Sequence, residues 1–244
     1  MLSFRRRVLS RTCLAVGFFF LLIQALRSDP VPPPTEPLRI VTLGDSITKA
    51  VRPGVTADET FAARLERALR QGGVDATVYN VGIGGERTDQ ALLRLERDVL
   101  AHRPHLVTLM YGTNDSYVDA GKTASRITAD AYRANLEQLV DRLRAAGALP
   151  VLMTPPRWGR AAKRNGLGEN PNVRLEPFVD VCRQVAEERR VRLVDHFADW
   201  SAAESGGEDI GTWTTDQCHP NPAGQARLAG KIVPVVREAL GLGY

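Results

Sequence analysis

Leu38-Arg39-Ile40-Val41-Thr42-Leu43 is an apolar run with a single charge, and it passes directly into Gly44-Asp45-Ser46-Ile47-Thr48. Four more short β-rich runs follow: Ala76 to Val81, Leu106 to Tyr111, Leu149 to Met153 and Val191 to Val194. Between them lie longer segments of helical periodicity, at about 57–71, 87–101, 129–146 and 174–190, with a last one at about 222–240. Strands that are apolar almost throughout, each separated from the next by a helix, predict a parallel sheet covered on both faces. Right-handed crossovers then make the fold a three-layer α/β/α sandwich.

Local signals agree with that division. Thr56-Ala57-Asp58-Glu59 has the form of a capping box, and Gly72-Gly73 stops the first helix. Phe61, Leu65 and Leu69 repeat every four residues, as one apolar stripe facing a sheet requires; Leu136, Leu139, Val140 and Leu143 do the same before Gly147. The longest irregular stretch is Thr154 to Asn172, with Arg157, Trp158, Arg160, Lys163 and Arg164. Its plain reading is a solvated excursion. A loop of that length after a strand's carboxyl end is also a place for a substrate-facing lid.

Ligands of open α/β sheets gather at the carboxyl ends of the strands. Ser46, Gly85 and Asn114 each follow a strand, so they are expected on one edge of the sheet. Ser46 offers a hydroxyl nucleophile, although by itself it reads equally as a helix cap. The backbone N–H groups of Ser46 and Gly85 and the side-chain amide of Asn114 are three donors for an oxygen that turns negative under attack. A glycine in such a place lets substrate approach the backbone, and an asparagine there is otherwise a turn residue. Of four histidines, His102 and His105 flank Pro104 before the third strand, at the wrong end of the sheet. His196 directly follows the fifth strand and is a rival base. His219 is preferred because Asp216, three residues earlier, is close enough to hold Nδ1–H and leave Nε2 for the serine.

Gly44-Asp45-Ser46-Ile47-Thr48, Asn80-Val81-Gly82-Ile83-Gly84-Gly85, Gly112-Thr113-Asn114-Asp115 and Asp216-Gln217-Cys218-His219-Pro220-Asn221, in that order, resemble the motifs of the SGNH, or GDSL-type, hydrolases. The resemblance runs from about Leu38 to the C-terminus. It implies a flavodoxin-like strand order and a serine esterase that works through an acyl-enzyme. Ser46, His219 and Asp216 would be nucleophile, base and orienter, with Ser46, Gly85 and Asn114 forming the oxyanion hole; Gly84 is the neighbouring choice for Gly85. The surroundings of Ser46 differ from the Gly-x-Ser-x-Gly elbow of the α/β-hydrolases, since position 48 is Thr. Proteins like these include carbohydrate deacetylases, lysophospholipases, thioesterases and arylesterases. With no long apolar insertion, and with Arg157 and Trp158 in a polar loop suited to pair with and stack on a sugar, an acetyl ester of a carbohydrate is the leading substrate. A non-catalytic surface module on the same fold is the alternative of a different class.

Ahead of this domain, Arg5, Arg6, Arg7 and Arg11 precede an apolar run from Cys13 to Leu26, followed by a proline-rich linker over 29–37. Residues 1–28 read as a secretory signal peptide, or as an uncleaved anchor holding the membrane through 8–26. Either places residues 38–244 outside the cytoplasm: secreted, periplasmic or anchored to the outer face of the membrane. The formal charge of +4 owes five arginines to that leader; the remainder holds 27 basic against 28 acidic residues, which argues for no nucleic-acid partner. The histidines lack metal-ligand spacing, and Glu204 and Glu208-Asp209 read as a solvated Gly-rich loop, so neither metal nor cofactor is expected. Cys182 and Cys218 either pair in an oxidising compartment, stiffening the turn beside His219, or stay separate thiols.

Overall fold

The computed structural model describes residues 36–243. The leader or anchor assigned to residues 1–28, and the linker as far as Thr35, lie outside the described residues. Among those described, no helix is long and apolar enough to cross a membrane.

Five strands, β1 (Leu38–Gly44), β2 (Ala76–Asn80), β3 (Leu106–Met110), β4 (Leu149–Thr154) and β5 (Arg192–Asp195), form one sheet in the order β2-β1-β3-β4-β5. Every pairing is parallel. This is the flavodoxin-like order, and the chain reverses direction across the sheet beside β1, where Ser46 emerges. Alternation along the strands divides the core in two. Ile40, Leu106, Met110, Val151 and Met153 point to a layer built by α2 (Phe61–Gln71) and α7 (Pro222–Ala239), which contribute Phe61, Leu65, Leu69, Leu228 and Ile232. Val41, Val107, Leu109 and Leu152 point the other way, to α4 (Ala129–Ala145) and α5 (Asn172–Glu188), which supply Leu136, Leu139, Leu143, Phe178 and Val185.

Several element boundaries differ from expectation for local reasons. The segment expected to be helical from residue 57 opens with a 3-10 turn, Ala57–Glu59, and α2 starts at Phe61 once the Thr60 hydroxyl accepts the Ala63 N–H at 3.2 Å. The second predicted helix is regular only over α3 (Thr88–Arg94), then widens into a π turn over Leu95–Val99 and a 3-10 turn over Leu100–His102. Two short helices escaped the periodicity: α1 (Ser46–Lys49) and α6 (His196–Ser205). Glu204 therefore sits on α6, where it pairs with Arg157, and not in a Gly-rich loop. The stretch between β3 and α4, residues 111–128, is irregular and as long as the 155–171 loop.

Cys182 and Cys218 are both free and both buried, so they form no disulfide. Cys182 faces Tyr132 in the core between α4 and α5, whereas Cys218 packs near Asp45 and Asp216 above the sheet. Burial drives the Cys182 thiol up to about 12 and Cys218 well above the ordinary range.

Candidate active site

The carboxyl end of β1 needs glycine. A Cβ on Gly44 would stand 2.1 Å from the Thr48 hydroxyl and 2.8 Å from the Met110 carbonyl on the neighbouring strand. Free of that obstruction, the chain turns directly into α1, and Asp45 caps it by accepting the Ile47 N–H at 2.9 Å. Ser46 is thus the first residue of α1, partly exposed at the sheet's edge.

Opposite it, Asp216 organises its own turn. Its Oδ1 accepts the N–H groups of Cys218 (3.2 Å) and His219 (2.8 Å), and Oδ2 meets His219 Nδ1 at 2.7 Å. The turn needs Gln217 at φ +68°, which the bond from Gln217 N to the Thr214 hydroxyl helps to hold. Asn221 then starts α7 by accepting the Ala223 and Gly224 N–H groups. His219 Nε2 is left 2.8 Å from Ser46 Oγ. Carboxylate, imidazole and hydroxyl form one hydrogen-bonded line.

Burial lowers the His219 pKa, the bond to Asp216 raises it and the charge of Arg52 lowers it again, leaving it below the ordinary histidine value. Burial pushes the Asp216 carboxyl up, but the hydrogen bonds and charge from His219 outweigh this and hold it below the usual carboxylate range. The imidazole is therefore neutral and the carboxylate charged at neutral pH, the states in which Asp216 accepts from Nδ1–H and Nε2 can accept a proton.

Two loops bring Gly85 and Asn114 to the same edge of the sheet as Ser46. After β2, Gly82 donates to Asn80 Oδ1, Ile83 to the Gly44 carbonyl and Glu86 to the Ile83 carbonyl. Gly84 and Gly85 make no such bond, Gly85 lies at φ +77°, and a Cβ on Gly84 would come 4.0 Å from that of Ser46. After β3, the Asn114 amide is held at both ends: Nδ2 donates to Asp45 Oδ2 at 3.1 Å, and Oδ1 accepts from Arg126 at 3.0 Å. Arg126 can only donate, so it fixes which end of the amide is oxygen and leaves the second Nδ2–H free to serve an oxyanion.

Three residues at this site were not singled out from the sequence. Arg126 lies twelve residues beyond Asn114 in an irregular loop with no local pattern. Arg52 stands 3.6 Å from Asp216 and 3.4 Å from the Ser46 carbonyl. Asp45 belongs to the first motif, yet nothing local foretold its complete burial, which raises its carboxyl to about 7 against the bonds from Ile47 and Asn114.

The remaining candidates lie elsewhere. His196 opens α6 fully buried, both ring nitrogens unpartnered, and burial lowers it to about 4. His102 stacks on Tyr79 at 4.1 Å, and His105 Nδ1 accepts the Arg39 N–H at 3.0 Å. His105 sits directly before β3, at the amino end of that strand, and neither histidine is bonded to Ser46. Arg157 is drawn away from solvent by an ion pair with Glu204 at 3.3 Å, a bond to Ser201 and the ring of Phe197. Trp158 exchanges two backbone bonds with the Asn172 side chain and stacks on Tyr117 at 6.0 Å. Neither is hydrogen-bonded to Ser46 or His219, and the partners of Arg157 lie on α6. Among the described residues no three His, Cys, Asp or Glu side chains gather in a metal-holding arrangement.

A hydroxyl relayed through imidazole to carboxylate on the edge of a five-stranded parallel sheet is the arrangement of ester-cleaving α/β hydrolases. Residues 42–227 match the model of the GDSL-like lipase/acylhydrolase family, and the chain belongs to that family. It is 28% identical to Esterase TesA of Pseudomonas aeruginosa over 82% of this chain and 89% of that protein. It is 26% identical to an arylesterase of Vibrio mimicus over 78% and 84%, respectively. Among solved structures it resembles the acetyl xylan esterase AlAXEase, with a TM-score of 0.69 and 26% identity over 82% of this chain and all of that one. The protein is a carboxylic ester hydrolase.

Proposed function

We propose that this enzyme removes short acyl groups, acetyl first among them, from carbohydrates through a covalent acyl-serine. The observation that carries the chemistry is the line Asp216–His219–Ser46 at 2.7 and 2.8 Å. In this reading Ser46 Oγ attacks the ester carbonyl as His219 Nε2 takes its proton. Asp216 holds the ring and offsets the imidazolium charge. The amides of Ser46 and Gly85 and the Asn114 side chain receive the oxyanion. His219 then returns the proton to the departing sugar oxygen. Water, deprotonated by the same imidazole, releases the acid and restores the serine.

The sequence carries no long apolar insertion to shelter a fatty acyl chain, and the likeness to an acetyl xylan esterase supports a small acyl group on a carbohydrate alcohol. A second reading, an aryl or short lipid ester, draws on the likeness to TesA and the arylesterase and on exposed Val51 and Ile83 beside the motifs. Acetate release from acetylated xylo-oligosaccharides, compared with hydrolysis of p-nitrophenyl acetate and p-nitrophenyl octanoate, decides between them. A higher kcat/KM on the octanoate than on either acetate rejects the leading reading, and activity surviving Ser46→Ala rejects the nucleophile. Export by residues 1–28 fits a polymeric substrate outside the cell; an N-terminus mapped at Met1 on a cytoplasmic product would refute it.

A further inference from the structure

Next to the oxyanion donors lies a cleft of about 440 Å³ bordered by Arg87, Asp119, Lys122, Thr123, Ser125 and Arg126. Its two walls are the loops that carry those donors. Arg87 comes two residues after Gly85, and Arg126 is bonded directly to the Asn114 side chain. Each guanidinium is fixed by a fork of hydrogen bonds to a carboxylate. Arg87 grips Asp89 at 3.0 and 2.8 Å, and Arg126 grips Asp119 at 2.9 and 2.8 Å. The two cations are close enough that the charge of Arg126 opposes that of Arg87. Asp89 and Asp119 nevertheless favour both charged forms in place.

Lys122 breaks the balance. It has no carboxylate within ion-pair distance among the described residues, whereas Arg87 and Arg126 are paired with Asp89 and Asp119, so Lys122 is the unpaired cation of the cleft. The loop presenting it is ordered by bonds from Lys122 N to Asp119 O (3.0 Å), Arg126 N to Tyr117 O (3.0 Å) and Ser125 Oγ to Ser116 O (2.8 Å). Lys49, on α1 three residues after Ser46, is a further exposed cation. None of this follows from composition, since the chain beyond its leader is almost evenly balanced.

We infer that this cleft binds an anionic group, a carboxylate or a phosphate, on the sugar bearing the scissile ester, so that the enzyme acts on acidic acetylated saccharides in preference to neutral ones. The inference rests on the acetyl-carbohydrate reading above. Fixed guanidinium edges suit the planar or tripodal oxygens of such groups, and Lys122 supplies a point charge for them.

The test has a kinetic and a binding arm. kcat/KM is measured on an acetylated galacturonate oligosaccharide, an acetylated sugar phosphate and an acetylated xylo-oligosaccharide, at low salt and at 0.5 M added salt. At least one anionic substrate should exceed the neutral one by about tenfold, the worth of one favourable charge contact, and the ratio should collapse with salt and in Lys122→Glu. Whichever anion retains the preference identifies its source. Separately, galacturonate and inorganic phosphate are titrated calorimetrically into Ser46→Ala with and without Lys122→Glu. Binding weakened about tenfold or more by the charge reversal supports the cleft without any turnover. Equal rates on all three substrates, or a preference and binding that survive Lys122→Glu, overturn the inference. If the wild type hydrolyses no ester, the esterase reading falls, and the binding arm still decides the cleft.

Discussion

At the scale of single residues, the site is a set of groups whose charge states are set by neighbours a few ångströms away. His219 lies below the ordinary histidine value of 6.5 because burial and Arg52 outweigh Asp216. A base must be neutral to accept the serine proton, so the acid limb of kcat/KM is expected below 6.5 rather than at or above it. Arg52→Gln removes a neighbouring cation and should move that limb upward; a pH–rate profile on p-nitrophenyl acetate checks both. A limb that stays in place would mean Arg52 serves only to hold the Ser46 carbonyl. Asn114→Ala should cut kcat by about a hundredfold with little change in KM, since one aligned oxyanion donor is worth ~3 kcal/mol. Nearly normal kcat would reduce Asn114 to a partner of Asp45. The parts of the relay were legible because Asp216 and His219 are neighbours in sequence and Ser46 sits in a motif. Arg52 and Arg126 were not, because each acts through a contact whose value depends on where a loop turns.

Elements position these groups through buried polar contacts that hydrophobic periodicity does not report. Behind Gly85, Glu86 is buried and accepts from Arg94 on α3 and from the Tyr111 hydroxyl past the end of β3, while Arg94 also donates to the Val81 carbonyl at 2.8 Å. This knot ties the oxyanion loop to two elements. Removing one partner strands a charge in the interior, so Arg94→Ala is expected to cost about 3–5 kcal/mol in urea unfolding. The double variant Glu86→Leu/Arg94→Leu should recover part of that loss, and a double variant weaker than the sum of the singles would reject the account. Gly44→Ala tests the other anchor: a Cβ against Met110 O forces the strand end to shift, with an expected loss of about 1–3 kcal/mol. The strands and long helices were readable from period and length. The π turn after α3 was hidden, because Leu95 and Val99 keep the i, i+4 spacing of an ordinary helix while the backbone between them widens. Helix α6 was hidden for the opposite reason, since its ten residues are neither clearly amphipathic nor preceded by a turn.

For the whole molecule, the strand order followed from the motifs, whereas the placing of charge inside the sandwich did not. His196 is the clearest case: a strand-end histidine on the correct edge by sequence, it proves to be the buried first residue of α6, with no hydrogen-bond partner for its ring. The charged groups that act on it are Asp199 and Asp195, which favour its protonation, and Lys231, which opposes it; burial dominates and its pKa falls to about 4. In the unfolded chain it returns to about 6.5, so between these values the unfolded state holds the extra proton and stability rises with pH. The contribution is complete above about 6.5 and is lost as pH falls toward 4, amounting to about 3 kcal/mol for a shift of this size. Replacing the ring with a group that does not titrate removes that slope. The unfolding free energy of His196→Leu, measured in urea from pH 7 to pH 4, should therefore fall less steeply than that of the wild type. The two curves should converge or cross on the acid side, whatever the cost of the substitution at pH 7. Parallel curves would show that His196 is already charged in the folded protein, and that its surroundings admit water where the packing shows none of its nitrogens satisfied.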